Sequence, residues 1–337
     1  MPKRYLGNII TDTPTEPSDN YVNGAASGVW SLSEALFYTK ANLWPNQSNQ
    51  LPRAVFLAGD NSPSGRVNTI DYIEILTTGN ATDFGDLSFA AEGNAACSSS
   101  TRGVSGLFNQ DGVGQVNVME YVTIATTSNA TDFGDLTLAR RQGASASSST
   151  RGLFMGGNSA SNVIDYITIA STGNATDFGD IISNARSETA ACSSPTRAIC
   201  SGENLNDIWY VTIASTGNST DFGDRTVTNN LIAACASETR GVFAGGEQSA
   251  SRNVIDYVTI ASTGNATDFG DLQMALAAAI YGTSGGGRGV FAGGDSSRDT
   301  IEYITISSTG NATDFGNLSV GRKNGGACSN AHGGLAA

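Results

Sequence analysis

Between Asn253 and Ala261 the chain places apolar groups on both sides of an extended segment. Val254, Val258 and Ile260 fall on one side, Ile255 and Tyr257 on the other. β-Branched and aromatic residues dominate, so the segment reads as a strand, and a strand apolar on both sides is buried on both sides. The neighbouring residues supply three more. A small-residue stretch ends near Cys235, a second strand runs from Arg240 to Ala244 and stops at Gly245-Gly246, and a fourth surrounds Phe269. Gly264-Asn265 turns the chain between the last two strands, because both residue types tolerate positive φ.

This four-strand pattern recurs. The segment Asn-Ala-Thr-Asp-Phe-Gly-Asp returns with small changes around Phe84, Phe133, Phe178, Phe222, Phe269 and Phe315, at intervals of 49, 45, 44, 47 and 46 residues. That pitch with strand content predicts one four-stranded blade per copy, closed into a β-propeller, and six copies predict six blades. The ends predict the closure. Arg53 to Gly59 reads as a second strand with no first strand before it, and Ala327-Cys328-Ser329-Asn330 reads as a first strand with nothing complete after it. The C-terminal segment is expected to complete blade one and remove an exposed sheet edge. The expected fold is all-β: a six-bladed propeller over residues 51–337, closed by the C-terminal strand, after an N-terminal arm of residues 1–50 that contains one short helix.

The helix rests on Ser31-Leu32-Ser33-Glu34, a capping-box pattern in which Ser31 caps the helix start and Glu34 reaches back. A helix this short is unstable alone and must dock, either on its own propeller or on another protein. For the second case Trp30, Leu36 and Trp44 are the expected apolar anchors.

Composition narrows the chemistry. Charged residues make up 15% of the chain and the formal net charge is −13, which argues against sequence-independent nucleic-acid binding. Neither a membrane-length apolar run nor a secretory h-region after Met1-Pro2-Lys3-Arg4 is present, so neither membrane insertion nor secretion is expected. Cys97, Cys192, Cys235 and Cys328 share one repeat position, and Cys200 stands where other repeats carry Phe. These are expected to be buried thiols rather than a disulfide scaffold. With one histidine, His332, the sequence assembles no metal triad, and no catalytic residues or cofactor are expected. The Asp pairs from Asp83 with Asp86 to Asp268 with Asp271 recur in five blades. They are expected to be structural, one Asp bonding turn amides and the other pairing with an arginine such as Arg102 or Arg240. Asn80, Asn129, Asn174, Asn218, Asn265 and Asn311 open N-x-Thr sequons but read as turn residues.

The repeats also divide the surface. In an antiparallel blade the strand one–two and three–four loops leave one face, and these are nearly uniform. The strand two–three and four–one loops leave the other face, and these diverge. Binding is usually carried by variable loops on a rigid scaffold. The divergent face gathers Arg66, Arg140, Arg141, Arg186, Arg252, Arg298, Arg322 and Lys323, and an acidic glycan or negatively charged protein is the expected ligand.

The Gly-Gly strand ending, followed by Asn-Val-x-Asp-Tyr and a later aromatic strand, resembles the kelch repeat over residues 51–337. The doublet is intact at Gly156-Gly157, Gly245-Gly246 and Gly293-Gly294. The chain departs from the kelch pattern in a longer Tyr-to-aromatic gap (Tyr257 to Phe269) and in Phe for Trp. A copper-oxidase activity, which some kelch-like propellers support, would need several His ligands. A second resemblance lies in the arm. Ser27-Gly28-Val29-Trp30-Ser31-Leu32, continuing through Tyr38 to Pro45, is similar to a segment of virion proteins of marine and cyanobacterial tailed phages, as are the Thr-Gly-Asn-Ala-Thr-Asp-Phe-Gly-Asp repeats. This implies a non-enzymatic virion structural protein, tail fibre or tail-associated. Its arm would bind other virion proteins and its propeller would face a host-surface glycan or a protein. A capsid decoration or head-fibre protein and a cellular kelch-type adaptor are the alternatives.

Overall fold

The computed structural model describes residues 4–6, 28–30, 33, 51–158, 161–182, 187–203, 205–273 and 280–335. The chain divides into two compact units, Met1–Leu51 and Pro52–Ala337. In the first, the strand Arg4–Leu6 pairs antiparallel with Gly28–Trp30. Apart from Ser33, the helix expected after Ser31 lies outside the described residues, as do Leu36, Trp44 and the side chain of Trp30.

The second unit is a six-bladed β-propeller. Blade five is typical: Ala233–Ala236, Arg240–Ala244, Val254–Thr259 and Thr267–Asp271 form an antiparallel meander in that order. The same arrangement starts at Ala95 in blade two, Ala144 in blade three, Thr189 in blade four and Tyr281 in blade six. Blade one takes its first strand from the far end of the chain. Gly326–Ser329 pairs with Arg53–Asp60 in the register Gly326↔Leu57 to Ser329↔Ala54. The expected closure therefore holds, and the first strands of all six blades line a central channel.

The core lies between blades, which is why the third strands are apolar on both sides. One cluster joins Leu107, Met119 and Phe133 of blade two to Phe154 and Ile167 of blade three, and five equivalent clusters complete the circle. Each fully buried side chain such as Phe154 contributes about 1.5–3 kcal/mol of hydrophobic stabilisation.

Glycine fixes how closely blades approach. In blade three the pairing of strands three and four slips at Gly179, so that Ile164 opposes Gly179 and Asp165 opposes Asp177, which leaves Phe178 as the extra residue of a bulge. Gly179 has φ 144°, and a Cβ there would sit 2.6 Å from the backbone of Gly217 in the next blade. The bulge lets one blade's turn rest on the preceding blade's fourth strand.

Two elements depart from the common pattern. The fourth strand of blade one runs on to Glu92 and pairs with a hairpin, Asn109–Gln110 and Gly114–Gln115, from blade two. The fourth strand of blade four extends to Asn229. Both extensions lie on the divergent face.

Candidate functional site

The uniform face is built of fasteners. In each blade the arginine opening strand two lies over a strand-three tyrosine, 4.2–4.5 Å from ring centroid to guanidinium. That tyrosine meets the strand-four phenylalanine edge-on at 5.9–6.1 Å. The same arginines donate to an isoleucine carbonyl of the next blade: Arg53 to Ile124, Arg102 to Ile169, Arg151 to Ile213, Arg197 to Ile260, Arg240 to Ile306 and Arg288 to Ile75, at 2.8–3.2 Å. The expected Arg–Asp pairs are thus replaced by cation–π and carbonyl contacts, while Asp83 and its equivalents stay exposed.

The sequon asparagines act in the same circle. Asn129 Oδ1 accepts the Asp86 amide of the preceding blade, and five equivalents end with Asn80 accepting from Asn317, all at 3.0–3.1 Å. Backbone bonds run beside them, as from the Gly173 amide to the Phe133 carbonyl and from the Ala175 amide to the Asp135 carbonyl, so side chains and main chain together join the blades on this face.

On the divergent face the arginines prove to be of two kinds. Arg140 and Arg322 are 0% exposed and each sits 2.8 Å from a buried carboxylate, Asp165 and Asp71 respectively. Arg140 also donates to the carbonyls of Gly156 and Phe154. Gly157 makes room for it, with a φ of 118° and an imagined Cβ only 3.3 Å from Arg140 Cγ. Burial removes these two from any recognition surface. Arg186 lies outside the described residues.

The remaining cations are engaged with neighbours. Arg66 binds Glu92 at 2.9 Å and Asp111 at 3.3 Å, Arg141 lies 3.6 Å from Glu92, and Lys323 lies 3.9 Å from Asp60. Arg252 donates to Gln248, and Arg298 is half-buried near Glu302. Burial alone would raise the Glu92 carboxyl. Hydrogen bonds from Arg66, Asn109 and Asn324 and the Arg66 charge outweigh it and hold Glu92 below the usual range. Arg66, Arg141 and Lys323 therefore sit beside carboxylates, and Arg252 beside a neutral amide, rather than forming one cationic patch.

Around the channel mouth on this face runs a chain of backbone bonds. Gly93 donates to Asn324, Gln142 to Gly93, Glu188 to Gln142 and Leu231 to Glu188, at 2.6–3.1 Å. Asn324, Gln142, Glu188 and Leu231 all hold φ between 54° and 59°, uncommon for residues with a side chain. Their side chains add to the links: Asn324 donates to Glu92, Gln142 accepts from Asn158, and Glu188 accepts from Asn230.

The channel encloses a cavity of about 120 Å³. Ser98, Ser147, Ser193 and Ser329 end four of the six inner strands, and Ser284 is next to last in a fifth. Hydroxyls link them around the ring: Ser98 to the Ser329 carbonyl, Ser147 to Ser98, Ser193 to Ser147, Ser284 to Ala236 and Ser329 to Ser284, at 2.5–2.9 Å. Blade five, with Ala236, lacks its hydroxyl. At this end His332 enters the channel, its Nε2 3.0 Å from the Ser98 carbonyl and 3.2 Å from Ser147 Oγ, while its Nδ1 accepts the Gly334 amide at 3.0 Å. The Gly334 bond fixes the tautomer with the proton on Nε2. Burial lowers the His332 pKa below its ordinary value, opposed by the Ser98 bond. Neither the serine ring nor the tail was anticipated from the sequence. The serines were visible as the residue after each cysteine position, whereas the tail has no counterpart in the repeats.

All five cysteines are buried thiols. Among the described residues no group of three or more His, Cys, Asp or Glu side chains is arranged to hold a metal ion, and no helix is long and apolar enough to cross a membrane. No protein-family model matches the chain, and no curated protein matches it.

Proposed function

We propose that the protein is a non-enzymatic structural protein of a tailed-phage virion, tail fibre or tail-associated, whose kelch-like propeller serves as a display scaffold. Residues 1–50 attach it to other virion proteins through Trp30, Leu36 and Trp44. The divergent face meets a host-surface glycan or a protein. The observation that carries the display reading is the contrast between the two faces. On the uniform face the same arginine, tyrosine, phenylalanine and asparagine contacts recur in all six blades. On the divergent face the contacts differ from blade to blade, as Arg66 with Glu92, Arg140 with Asp165 and Asn230 with Glu188 illustrate, so its loops present different side chains on one scaffold. The phage assignment rests on the resemblance of the arm and the repeats.

With Arg140 and Arg322 buried and Arg66, Arg141 and Lys323 beside carboxylates, an acidic ligand is no longer favoured. The divergent loops suit recognition by polar, uncharged contacts. The test is particle assembly with protein lacking residues 1–50, together with a variant in which the loop at residues 61–65 and the hairpin tip at residues 111–113 are replaced. The truncated protein is expected to be absent from particles, and the loop variant to be incorporated but defective in adsorption to host cells. Normal incorporation of the truncated protein would sink the anchor role, and unchanged adsorption of the loop variant would sink the display role.

A further inference from the structure

We propose that residues 331–335 form a proton-released latch across the central channel, held closed by neutral His332 and opened when that imidazole takes a second proton. The inference is independent of the display role.

Both ring nitrogens of His332 are committed. Nε2–H donates to the Ser98 carbonyl of blade two, and Nδ1 accepts the Gly334 amide. A second proton can go only to Nδ1. There it sets a donor against the Gly334 N–H, so the bond that folds the segment back on itself is lost. The turn also holds the Leu335 amide on the His332 carbonyl at 3.0 Å. Gly333 and Gly334 are glycines because the segment passes directly over the strand ends. A Cβ on Gly333 would meet the backbone of Ser237, and one on Gly334 would meet the Ser147 carbonyl and Ser193 Oγ.

The movable part has a defined hinge. Asn330 remains on blade one, its Oδ1 accepting the Arg53 amide at 2.7 Å and its own amide bonding the Arg53 carbonyl at 3.3 Å. The closing strand Gly326–Ser329 is therefore pinned before the latch begins, so release opens the channel without opening the ring.

Nothing nearby would shelter the new charge. Asp, Glu, Lys and Arg are absent from the described residues lining the cavity, and its other ionisable groups are Cys97, Cys192, Cys235, Cys328 and Tyr281. Burial pushes Cys192 and Cys328 up to about 12, Tyr281 up to about 12, and Cys97 and Cys235 upward as well, so all five stay protonated and neutral. Of the ionisable groups lining the cavity among the described residues, His332 alone has an ordinary pKa near neutrality. Its docked pKa lies below that of the released imidazole, so the released state binds more protons between the two values. Docking is then complete above about pH 6.5 and weakens up to tenfold per pH unit as pH falls toward the docked value.

His332 is the chain's single histidine, so its NMR signals are unambiguous. On the full-length protein, the nitrogen shifts are expected to report the Nε2–H tautomer and a pKa below 6.5. Hydrogen exchange, corrected for intrinsic rates, should show protection of the Gly334 and Leu335 amides falling from pH 6.5 to 5.5, by at most about fivefold for a released pKa near 6.5. Protection of Gly326–Ser329 should hold. A pKa at or above 6.5, or tail protection constant down to pH 5, overturns the latch. So does equal loss at the closing strand, which would mean ring opening. His332→Phe, which cannot titrate, should abolish the pH dependence of tail exchange; a retained dependence also rejects the proposal.

Discussion

Replacing Gly152 by Ala should destabilise the propeller, and replacing Cys97 by Ala in the same chain should restore it. A Cβ on Gly152 would stand 2.5 Å from Cys97 Sγ and 3.1 Å from Ile167 Cγ1, where ordinary contact needs at least 3.4 Å. The thiol belongs to the first strand of blade two and the glycine to the second strand of blade three, so relief requires neighbouring blades to part. A closed ring resists that. Overpacking of this kind costs about 1–3 kcal/mol. The lost freedom of the unfolded chain returns about 0.4–1 kcal/mol, since Gly152 holds no left-handed φ. The net expectation is a loss of about 1–2 kcal/mol, a fall in Tm of roughly 2–6 °C at the per-kcal shift of large domains.

Cys97→Ala alone removes one buried atom and should cost about 1 kcal/mol. The double variant should recover to within about 1 kcal/mol of the parent, with a coupling energy of about 1–3 kcal/mol. The chain already contains this solution. Cys328, Cys97, Cys192 and Cys235 face Gly103, Gly152, Gly241 and Gly289 in the following blade, whereas the two blades whose equivalent position is Ala146 or Thr283 are followed by alanine, Ala198 or Ala54, at the glycine position. Urea and thermal unfolding of the four proteins measure the cycle. A neutral Gly152→Ala, or two effects that simply add, would refute the packing argument.

Two further outcomes follow from the inner structure. Arg140→Ala leaves Asp165 buried without its cation and should cost about 3–5 kcal/mol in urea unfolding, whereas Arg140→Met with Asp165→Leu should regain most of it; blade four, which carries Trp209 at the position of Asp165, already packs an apolar group there. Ala236→Ser supplies the missing sixth hydroxyl, aimed at the Ser193 carbonyl, and should raise stability by about 0.5–1.5 kcal/mol; calorimetry showing no gain in Tm would mean the tail leaves no room for it.

The architecture was legible because the strand-three pattern and its cassette repeat nearly unchanged, so blade number, strand order and closure all followed from one period. The strand bounds around Val254 and Arg240 agree with expectation to within two residues. The arginines were harder. Arg140 and Arg66 look alike in a loop, and what separates them is an acid in the neighbouring strand three. Arg140 and Arg322 each stand seven residues after the strand-four phenylalanine and find a short Asp in the next blade, Asp165 or Asp71. Blade one has Ala91 at that place, and blade two answers with the longer Glu120, which reaches Ser88. Such pairing crosses blades and is invisible when repeats are compared position by position. The extension of strand four to Glu92 did leave a trace, since Leu87, Phe89 and Ala91 alternate as a strand should. The tail left none, because a plug used once has no period.

The pairings also explain how a ring of nearly interchangeable blades closes in one register. The arginine–carbonyl, asparagine–amide and cysteine–glycine contacts each join a blade to its neighbour, so each blade must satisfy two neighbours, and the terminal strand must satisfy the neighbours of blade one. Cys328 meets Gly103 ahead of it, while Arg322, on the segment leading into that strand, meets Asp71, and Asn80 caps Asn317 behind. A slip by one blade would place Arg322 against a strand three carrying Glu120 instead of Asp71, and Cys328 against Gly152 instead of Gly103. The uniform contacts would survive that slip, because they are the same in every blade. The non-uniform ones would not, since a buried arginine without a matched carboxylate costs several kcal/mol. Uniformity therefore gives the disc its shape, and the few departures from it specify where the two ends of the chain meet.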